Sequence, residues 1–310
     1  MESELAKRPF RVFTDDEISD LLRPEDAIAW MREALLAERE GRLISPARVS
    51  AMLDSGKLVL TAGSMAGAAY GYRVYDTMGL PGSEQIVVAH DPQTGAVLAI
   101  AVGSEVGLRR TAAIGGVAHD VLAPRCPVTV AVIGAGNQAK GQLWALQAVR
   151  EVAGVKLFSR DPARRDAVAK SLDDMYAFPV HGASSARDAV EAADVVVLAT
   201  NSGVPVIRTE WLRRDAYVAT LGPKQIGRSE YDEELLRAAD IIVTDSITQL
   251  NGYHPPAVAV QSGIDIGSLA DLIASPPESA GLRVYLSVGL SGTEPYLLHR
   301  LALHAETLGR

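Results

Sequence analysis

The segment VTVAVIGAGNQAKGQL, residues 128–143, constrains the fold more than any other part of this 310-residue chain. It opens with an apolar, β-branched run typical of a buried strand and continues, after Gly136, with residues compatible with a helix. Gly134, Gly136 and Ala139 have the spacing of a dinucleotide-binding turn. The first glycine permits a tight turn, the second lets the backbone approach a pyrophosphate, and the small third residue lets the helix pack on the strand. Such a helix offers unpaired N–H groups to phosphates, so we predict cofactor contacts from Gly134, Ala135, Gly136, Asn137 and Gln138.

Strand-like and helix-like segments alternate from about residue 113 onward. Strands are predicted at residues 128–133, 155–158, 178–181, 194–199, 217–221 and 241–244, and helices at 138–152, at 162–175 and after Ser185. This alternation is typical of βαβ units, which build a parallel sheet with right-handed crossovers. We therefore predict an α/β fold that contains a Rossmann-type doubly wound parallel sheet.

The N-terminal third of the chain predicts an α+β domain instead. Thr14 and Glu17 have the spacing of a capping box at the start of a short helix. Pro24 suits the first turn of a second helix, which is predicted to run to Gly41. Strands are predicted at residues 57–61, 70–75, 85–90 and 96–102. The last two are joined by a D-P-x-x-G segment, which is typical of a hairpin.

Charge and composition exclude several classes of protein. The net charge is −8, so nucleic-acid binding has no electrostatic support. No apolar run reaches the roughly 18 residues of a membrane helix, and the N-terminus lacks an apolar signal core. The single cysteine, Cys126, excludes an internal disulfide and fits a reducing cytoplasm. The six histidines are scattered, so we expect no metal site.

The end of the second predicted strand of this sheet bears on the choice between NAD and NADP. An NAD-specific site usually has an acidic residue there to bond the ribose 2′-hydroxyl. Ser159 and Arg160 stand at this position, and Arg164 and Arg165 follow one helical turn later. A hydroxyl and guanidinium groups suit a 2′-phosphate, so we predict that NADP(H) is favoured over NAD(H). Alternatively, the arginines form a solvated helix face and Asp161 serves an NAD site.

Polar residues also follow the fourth predicted strand of the sheet. They are Thr200, Asn201 and Ser202. In open α/β sheets, ligands bind beyond the carboxyl ends of the strands. We therefore add these three residues to Ser159, Arg160 and Arg164 as predicted cofactor contacts.

Several segments together resemble the ornithine cyclodeaminase/mu-crystallin family. They are LRRTAAIGGVAHDVLA at residues 108–123, the turn continuing as GNQAKGQLWAL, LATNSGVPV, VTDS and the late SVGL. The resemblance spans most of the chain, and the family includes cyclodeaminases, alanine dehydrogenases, ketimine or imine reductases and opine-type dehydrogenases. It implies a Rossmann dinucleotide-binding domain at residues 114–286. It also implies a substrate-binding domain, formed by residues 1–113 with 287–310, that builds a homodimer.

The resemblance further implies a group of basic residues that binds the substrate carboxylate. The matching positions here are Arg48, Arg73 and Arg110, where Arg73 replaces a lysine of the family pattern. Arg73 is predicted to lie in the middle of a strand, where a charge is costly unless it faces a ligand or a partner. A guanidinium suits a carboxylate. The alternative for each arginine is a structural ion pair.

One position departs from the cyclodeaminase pattern. Cyclodeaminases of the family carry a motif like G-A-D-x-P-G-K-x-E-L, whose aspartate handles the substrate amine; the matching residue here is Lys224. A protonated lysine ~4 Å from an α-ammonium would repel it by roughly 4 kcal/mol at an effective dielectric constant near 20, which argues against ornithine cyclodeamination. Lys224 could act as a catalytic acid, bind a second carboxylate, or point into solvent.

Glu294 completes the set of predicted site residues. It stands where the family often has an aspartate near the substrate or the nicotinamide ribose, although it could be a helix cap or first-turn acid. We expect an NAD(P)H-dependent oxidoreductase that acts on a small α-imino, amino or keto acid, with imine reduction favoured. The alternatives are a redox-neutral amino-acid cyclodeaminase and a catalytically silent dinucleotide-binding protein.

Overall fold

The computed structural model describes residues 10–276 and 281–309. The chain divides into two compact units. Unit 1 contains residues Met1–Arg110 and Ser291–Arg310, and unit 2 contains residues Thr111–Leu290. The assignment of substrate binding to the first unit and cofactor binding to the second stays a prediction.

Unit 1 is built on a seven-stranded mixed sheet. Its strands are β1 Arg11–Phe13, β2 Leu43–Ile44, β3 Val49–Leu53, β4 Gly56–Met65, β5 Ala69–Asp76, β6 Ile86–His90 and β7 Val97–Val102. The order is β1-β7-β6-β5-β4-β2, with β3 also paired to β4, and only the β1–β7 pair is parallel. The predicted hairpin is confirmed as β6–β7. The prediction missed β1 and β2, which are only three and two residues long, and β3, which is exposed at every residue and therefore lacks an alternating pattern.

The helices of unit 1 include two whose starts the sequence predicted, at the Thr14 capping box and at Pro24. They are α1 Asp15–Leu21, α2 Pro24–Arg39 and the last helix of the chain, α11 Thr293–Thr307; α3 Glu105–Leu122 begins in this unit and ends in unit 2. The Thr14–Glu17 capping box is present, and α2 ends two residues before the predicted Gly41. α11 packs on β4 to β7. A Cβ atom on Gly63 would lie 2.5 Å from the Cα atom of Gly292, so only glycine permits this approach of helix and sheet.

Unit 2 contains the predicted Rossmann-type sheet. Its strands are β8 Val128–Ile133, β9 Val152–Phe158, β10 Val180–Gly182, β11 Val195–Leu198, β12 Tyr217–Thr220, β15 Ile241–Thr244, β16 Gly267–Ser268 and β17 Arg283–Leu286. All pairs in the order β10-β9-β8-β11-β12-β17-β15-β16 are parallel. A separate antiparallel pair joins β13 Lys224–Gln225 and β14 Arg228–Ser229. The prediction of an α/β fold with this sheet is confirmed, although β16 and β17 were missed.

Helices follow the strands of unit 2. They are α4 Asn137–Leu146, α5 Pro162–Asp173, α6 Ala186–Val190, α7 Glu233–Ala238, α8 Ile247–Asn251, α9 Val258–Gln261 and α10 Leu269–Ala274, with a 3-10 turn at Thr209–Trp211. The helix predicted at residues 138–152 is shorter than expected, because the chain enters β9 at Val152. Every residue of β11 and β12 is buried, which explains their continuous apolar runs. Within the described ranges, no helix is both long and apolar enough to cross a bilayer.

Candidate functional site

A cavity of about 230 Å³ lies beyond the carboxyl ends of β8, β9 and β11. It brings together nine of the predicted cofactor residues, namely Gly134, Ala135, Gly136, Ser159, Arg160, Arg164, Thr200, Asn201 and Ser202. Asn137 and Gln138 lie in the first turn of α4 and do not line it. The apolar part of the wall was not predicted and comes from Ile133, Phe158, Ala199 and Val206.

The glycine turn has the geometry that a pyrophosphate requires. Gly134 has φ of +121°, and a Cβ atom there would lie 2.2 Å from the carbonyl oxygen of Ala199. A Cβ atom on Gly136 would instead meet nothing within 4 Å. Gly136 is the N-cap of α4, and no side chain caps this end of the helix. The first-turn N–H groups and the open space beside Gly136 fit a bound phosphate.

The residues after β9 divide into two groups. Ser159, Arg160 and Arg164 line the cavity, and Arg164 Nη2 donates to the carbonyl oxygen of Ala135 at 3.3 Å. Arg165 does not line it, because its guanidinium donates to Asp166 Oδ1 at 2.7 Å. The carboxylate of Asp161, the alternative residue for an NAD site, is the N-cap of α5 and accepts from the N–H of Arg164 at 3.1 Å. The carboxylate of Asp161 therefore caps the helix, and this acid was the alternative partner for the ribose 2′-hydroxyl of NAD.

Thr200, which also lines the cavity, is held by Glu230, an acid that was not among the predicted site residues. Glu230 Oε2 accepts from the N–H of Thr200 at 3.0 Å and from its hydroxyl at 2.8 Å. Glu230 is fully buried. The glutamate of the family motif was the available signal for this residue, but a pairing across 30 positions is not visible in a local pattern.

Lys224 is buried in the same region, with 1% of its surface exposed. Its ammonium donates to the carbonyl oxygen of Gly222 at 2.6 Å. Burial raises the pKa of Glu230. The positive charge of Lys224 opposes this rise, because the two groups lie close enough to interact electrostatically. The interpretation of Lys224 as a solvent-exposed side chain is therefore wrong.

Unit 1 contains a second cluster of predicted site residues. Arg73 on β5 and Arg110 on α3 both donate to Glu294 Oε1, Arg73 at 3.1 Å. Glu294 is fully buried in the first turn of α11. Arg73 also donates to Gln85 Oε1 at 2.9 and 2.5 Å, and its guanidinium lies 4.4 Å from the ring centroid of Tyr75. The contacts of Arg73 therefore agree with the alternative interpretation, in which this arginine forms a structural ion pair.

Arg110 and Glu294 are only partly satisfied by the described residues. Arg110 Nε and Nη1 are buried without a hydrogen-bond partner, and so is Glu294 Oε2. Burial raises the pKa of Glu294, but the charges of Arg110 and Arg73 outweigh it and leave the pKa below its usual value. Glu294 is therefore ionised at neutral pH. Arg48 is exposed in the loop before β3 and lies outside this buried cluster.

Metal binding has no support in the described ranges. They contain no group of three or more histidine, cysteine, aspartate or glutamate side chains that could hold a metal ion.

Three curated relatives are similar in sequence. An alanine dehydrogenase of Archaeoglobus fulgidus is 28% identical over 260 residues, which cover 82% of this chain and 79% of that protein. A Delta(1)-pyrroline-2-carboxylate reductase of Bacillus cereus is 29% identical over 244 residues, which cover 76% and 75%. An uncharacterized cyclodeaminase of Sinorhizobium fredii is 30% identical over 188 residues, 60% of this chain, and this match spans little more than half, 57%, of that relative's length.

Two solved structures share the fold. Thermococcus litoralis Delta(1)-pyrroline-2-carboxylate reductase, in complex with NADH and L-proline, matches with a TM-score of 0.88 at 23% identity, over 96% of this chain and 98% of that chain. An archaeal alanine dehydrogenase dimer with bound NAD matches with a TM-score of 0.86 at 23% identity, over 97% of each chain. At these identities the likeness establishes the fold.

The family follows from the sequence match. The sequence profile of the ornithine cyclodeaminase/mu-crystallin family covers residues 11–275, well over half of the chain, and confirms the predicted resemblance. The chain therefore belongs to the ornithine cyclodeaminase/mu-crystallin family of NAD(P)-dependent enzymes.

Proposed function

We propose that this protein transfers a hydride between a nicotinamide dinucleotide and the α-carbon of a small α-imino or amino acid, and that reduction of the imine is the favoured direction. The observation that carries the proposal is the buried Arg110–Glu294 pair, which leaves two donors and one acceptor unpaired. The dinucleotide supplies the hydride when bound. The chain supplies orientation and charge.

The three unpaired atoms of Arg110 and Glu294 determine which chemical groups of a substrate can bind to them. A buried donor or acceptor without a partner costs about 1–3 kcal/mol, so a ligand that pairs with all three atoms gains affinity. A carboxylate accepts from the free donors of Arg110, and a protonated imine or amine donates to Glu294 Oε2. An α-imino acid carries both groups on neighbouring carbons, whereas a keto acid carries only acceptors. Such pairing orients the α-carbon, which is the chief contribution expected from the protein.

The names of relatives support this substrate class. The Bacillus cereus relative is a Delta(1)-pyrroline-2-carboxylate reductase, and the Archaeoglobus relative is an alanine dehydrogenase. The Thermococcus structure contains NADH together with L-proline. In all three proteins, the name or the bound molecules indicate both an α-imino or α-amino acid and a redox reaction.

We propose that NADP(H) is preferred over NAD(H) in this chain. Ser159, Arg160 and Arg164 line the cavity, and Asp161 is engaged as a helix cap. Guanidinium groups suit a 2′-phosphate, and the remaining acid does not line the cavity. The two solved structures described above contain NADH or NAD, so this preference would distinguish the present chain from them.

A second copy of the chain is the proposed partner of unit 1. Val49 on β3 faces Leu60 on β4 in the register of the sheet, and both are exposed, as is Leu58. A continuous apolar sheet face is unfavourable in water and is typical of an interface. The archaeal alanine dehydrogenase of the same fold is a dimer.

We also propose a cytoplasmic location for this protein, because its single cysteine fits a reducing compartment.

The proposed activity can be tested directly. Purified protein is mixed with NADPH or NADH and with Δ1-pyrroline-2-carboxylate, linear imines formed from pyruvate and amines, or keto acids alone, and absorbance is followed at 340 nm. We expect NADPH consumption with imino acids and little with keto acids. Tight dinucleotide binding without consumption across this panel would contradict the proposal. Ammonia release from ornithine would then indicate a cyclodeaminase, and its absence a silent binding protein.

A further inference from the structure

Glu230 joins two loops of unit 2 through a single buried carboxylate. Oε2 accepts from the N–H and the hydroxyl of Thr200, at 3.0 and 2.8 Å, and Oε1 accepts from the N–H of Gly222 at 2.6 Å. All three partners are donors. An ionised carboxylate only accepts, whereas an amide of the same shape would turn its NH₂ group toward one of these donors. The position therefore favours glutamate over glutamine.

The Thr200 side of this junction forms a wall of the cofactor cavity. Thr200 and Ser202 both line the cavity, and the N–H of Ser202 donates to the hydroxyl of Thr200 at 3.2 Å. The hydroxyl of Thr200 thus receives one hydrogen bond from the wall and gives one to Glu230. Two backbone bonds add to this link, from Ser229 N to Gly203 O at 3.2 Å and from Val206 N to Glu230 O at 2.9 Å. The path of the wall depends on the segment that carries Glu230.

The Gly222 side leads to Lys224. A Cβ atom on Gly222 would lie 2.2 Å from the carbonyl oxygen of Thr200 and 2.4 Å from Glu230 Oε2, so no larger residue fits between them. The carbonyl oxygen of Gly222 accepts from the Lys224 ammonium at 2.6 Å. Thr200, Glu230, Gly222 and Lys224 therefore form one connected set of contacts.

We propose that Glu230 is a positioning residue that holds the Thr200 wall of the cofactor cavity and the Lys224 ammonium in one hydrogen-bonded assembly. This inference rests on the proposed function, because it takes the cavity to be the dinucleotide site. Glu230 acts through Thr200 and Gly222 and does not line the cavity itself. Loss of its carboxylate should weaken dinucleotide binding in a protein that is still folded.

The test is a double-mutant cycle on dinucleotide affinity. The variants are Glu230→Gln, Thr200→Val and the double variant, with Glu234→Gln as a control that removes an exposed carboxylate from the neighbouring α7. NADPH dissociation constants are measured by nicotinamide fluorescence at a temperature where circular dichroism shows each variant folded. We expect about a tenfold loss of affinity in Glu230→Gln, a smaller loss in Thr200→Val, and no further loss in the double variant. Glu234→Gln should bind as the unaltered protein does.

A kinetic comparison separates positioning from general destabilisation. In Glu230→Gln we expect the KM for NADPH to rise more than the KM for the imino acid, whereas simple instability would reduce the active fraction and leave both KM values unchanged. If Glu230→Gln does not fold, Thr200→Ser replaces it: it keeps the hydroxyl that donates to Glu230, so it should lose less NADPH affinity than Thr200→Val.

Unchanged NADPH affinity in Glu230→Gln, or losses that multiply in the double variant, would overturn the positioning role while leaving the proposed function intact. Equal affinities of Thr200→Ser and Thr200→Val would do the same. Failure of the unaltered protein to bind NADPH or NADH would overturn the proposed function, and with it the role of Glu230 at the cavity.

Discussion

Arg110 donates to one carboxylate oxygen of Glu294, and the second oxygen of that carboxylate is buried without a partner among the described residues. Arg73 shares the same bonded oxygen. Two guanidinium groups thus converge on one carboxylate, so the cluster carries a net positive charge in a buried place. This arrangement suits a ligand that brings a second carboxylate and its own N–H donor.

Replacing Arg110 by methionine should remove substrate binding and leave cofactor binding intact. The side chain keeps most of its apolar volume but loses the donors to the carboxylate, and we expect kcat/KM for the imino acid to fall by about a hundredfold or more. The NADPH dissociation constant should change little. Arg42→Met removes an exposed arginine of unit 1 and serves as the control. An unchanged kcat/KM in Arg110→Met would show that the cluster is only structural.

Replacing Glu294 by glutamine should destabilise the fold. It would leave the buried Arg110 and the half-buried Arg73 without their counter-charge, and breaking a buried pair in this way typically costs about 3–5 kcal/mol. The free energy of unfolding, measured in urea at pH 7, should fall accordingly. A loss below about 1 kcal/mol would contradict the account.

The same pair predicts a pH dependence. The folded-state pKa of Glu294 lies below its unfolded value, so its contribution to stability is present above the unfolded pKa, near 4.5. This contribution is lost as the pH falls through the lower, folded pKa. Glu294→Gln should therefore lose less stability than the unaltered protein between pH 5 and the acid transition. Parallel pH profiles for the two proteins would argue against the ion pair.

The two glycines of the turn should respond differently to alanine. Gly136→Ala has open space and a φ of −93°, so the fold should be unaffected, while dinucleotide affinity should drop by about tenfold or more because the methyl group enters the phosphate space. Gly134→Ala should instead lower the free energy of unfolding by about 2 kcal/mol or more, through its positive φ and its clash with Ala199. Thermal unfolding and NADPH titration measure both. Full NADPH affinity in Gly136→Ala would place the cofactor elsewhere.

Two neighbouring arginines offer a matched test of the NADP preference. Arg164 lines the cavity, whereas Arg165 is paired with Asp166 outside it. Arg164→Met should raise the NADPH dissociation constant by about tenfold and hardly change that of NADH, because only NADPH carries the 2′-phosphate. Arg165→Met should change neither. Equal losses for both dinucleotides would refute this role of Arg164.

The exposed face of unit 1 should determine the oligomeric state. Leu58→Glu with Leu60→Glu places two charges on this face, so we expect the proposed dimer to dissociate to monomers in sedimentation velocity experiments. Met175→Glu changes an exposed apolar residue of unit 2 and should leave the dimer intact. A monomeric unaltered protein at all concentrations would contradict the proposed partner.

Local patterns predicted the features that depend on neighbouring residues. Val128–Ile133 was predicted with its observed bounds because its residues other than Thr129 are apolar and buried, as in a strand covered on both faces. The capping box of Thr14 and Glu17 and the turn at Gly134 depend on spacings of two or three residues, which the sequence displays directly.

Long-range pairings could not be predicted in the same way. Arg73 and Arg110 were identified as basic site residues, but their shared partner Glu294 is 221 and 184 residues away. Lys224 was noticed as a departure from the family pattern, yet its burial near Glu230 depends on how two loops pack. β17 was missed because it is only four residues long and begins with a charged residue, Arg283, although the strand lies in the interior of the sheet.

The most direct test of the central claim is to follow the hydride itself. NADPH carrying deuterium at both C4 positions is incubated with the protein and Δ1-pyrroline-2-carboxylate, and the product is examined by mass spectrometry and NMR. We expect proline with one deuterium, located at the α-carbon. Product without deuterium, or no product from any imino acid while NADPH remains bound, would contradict it.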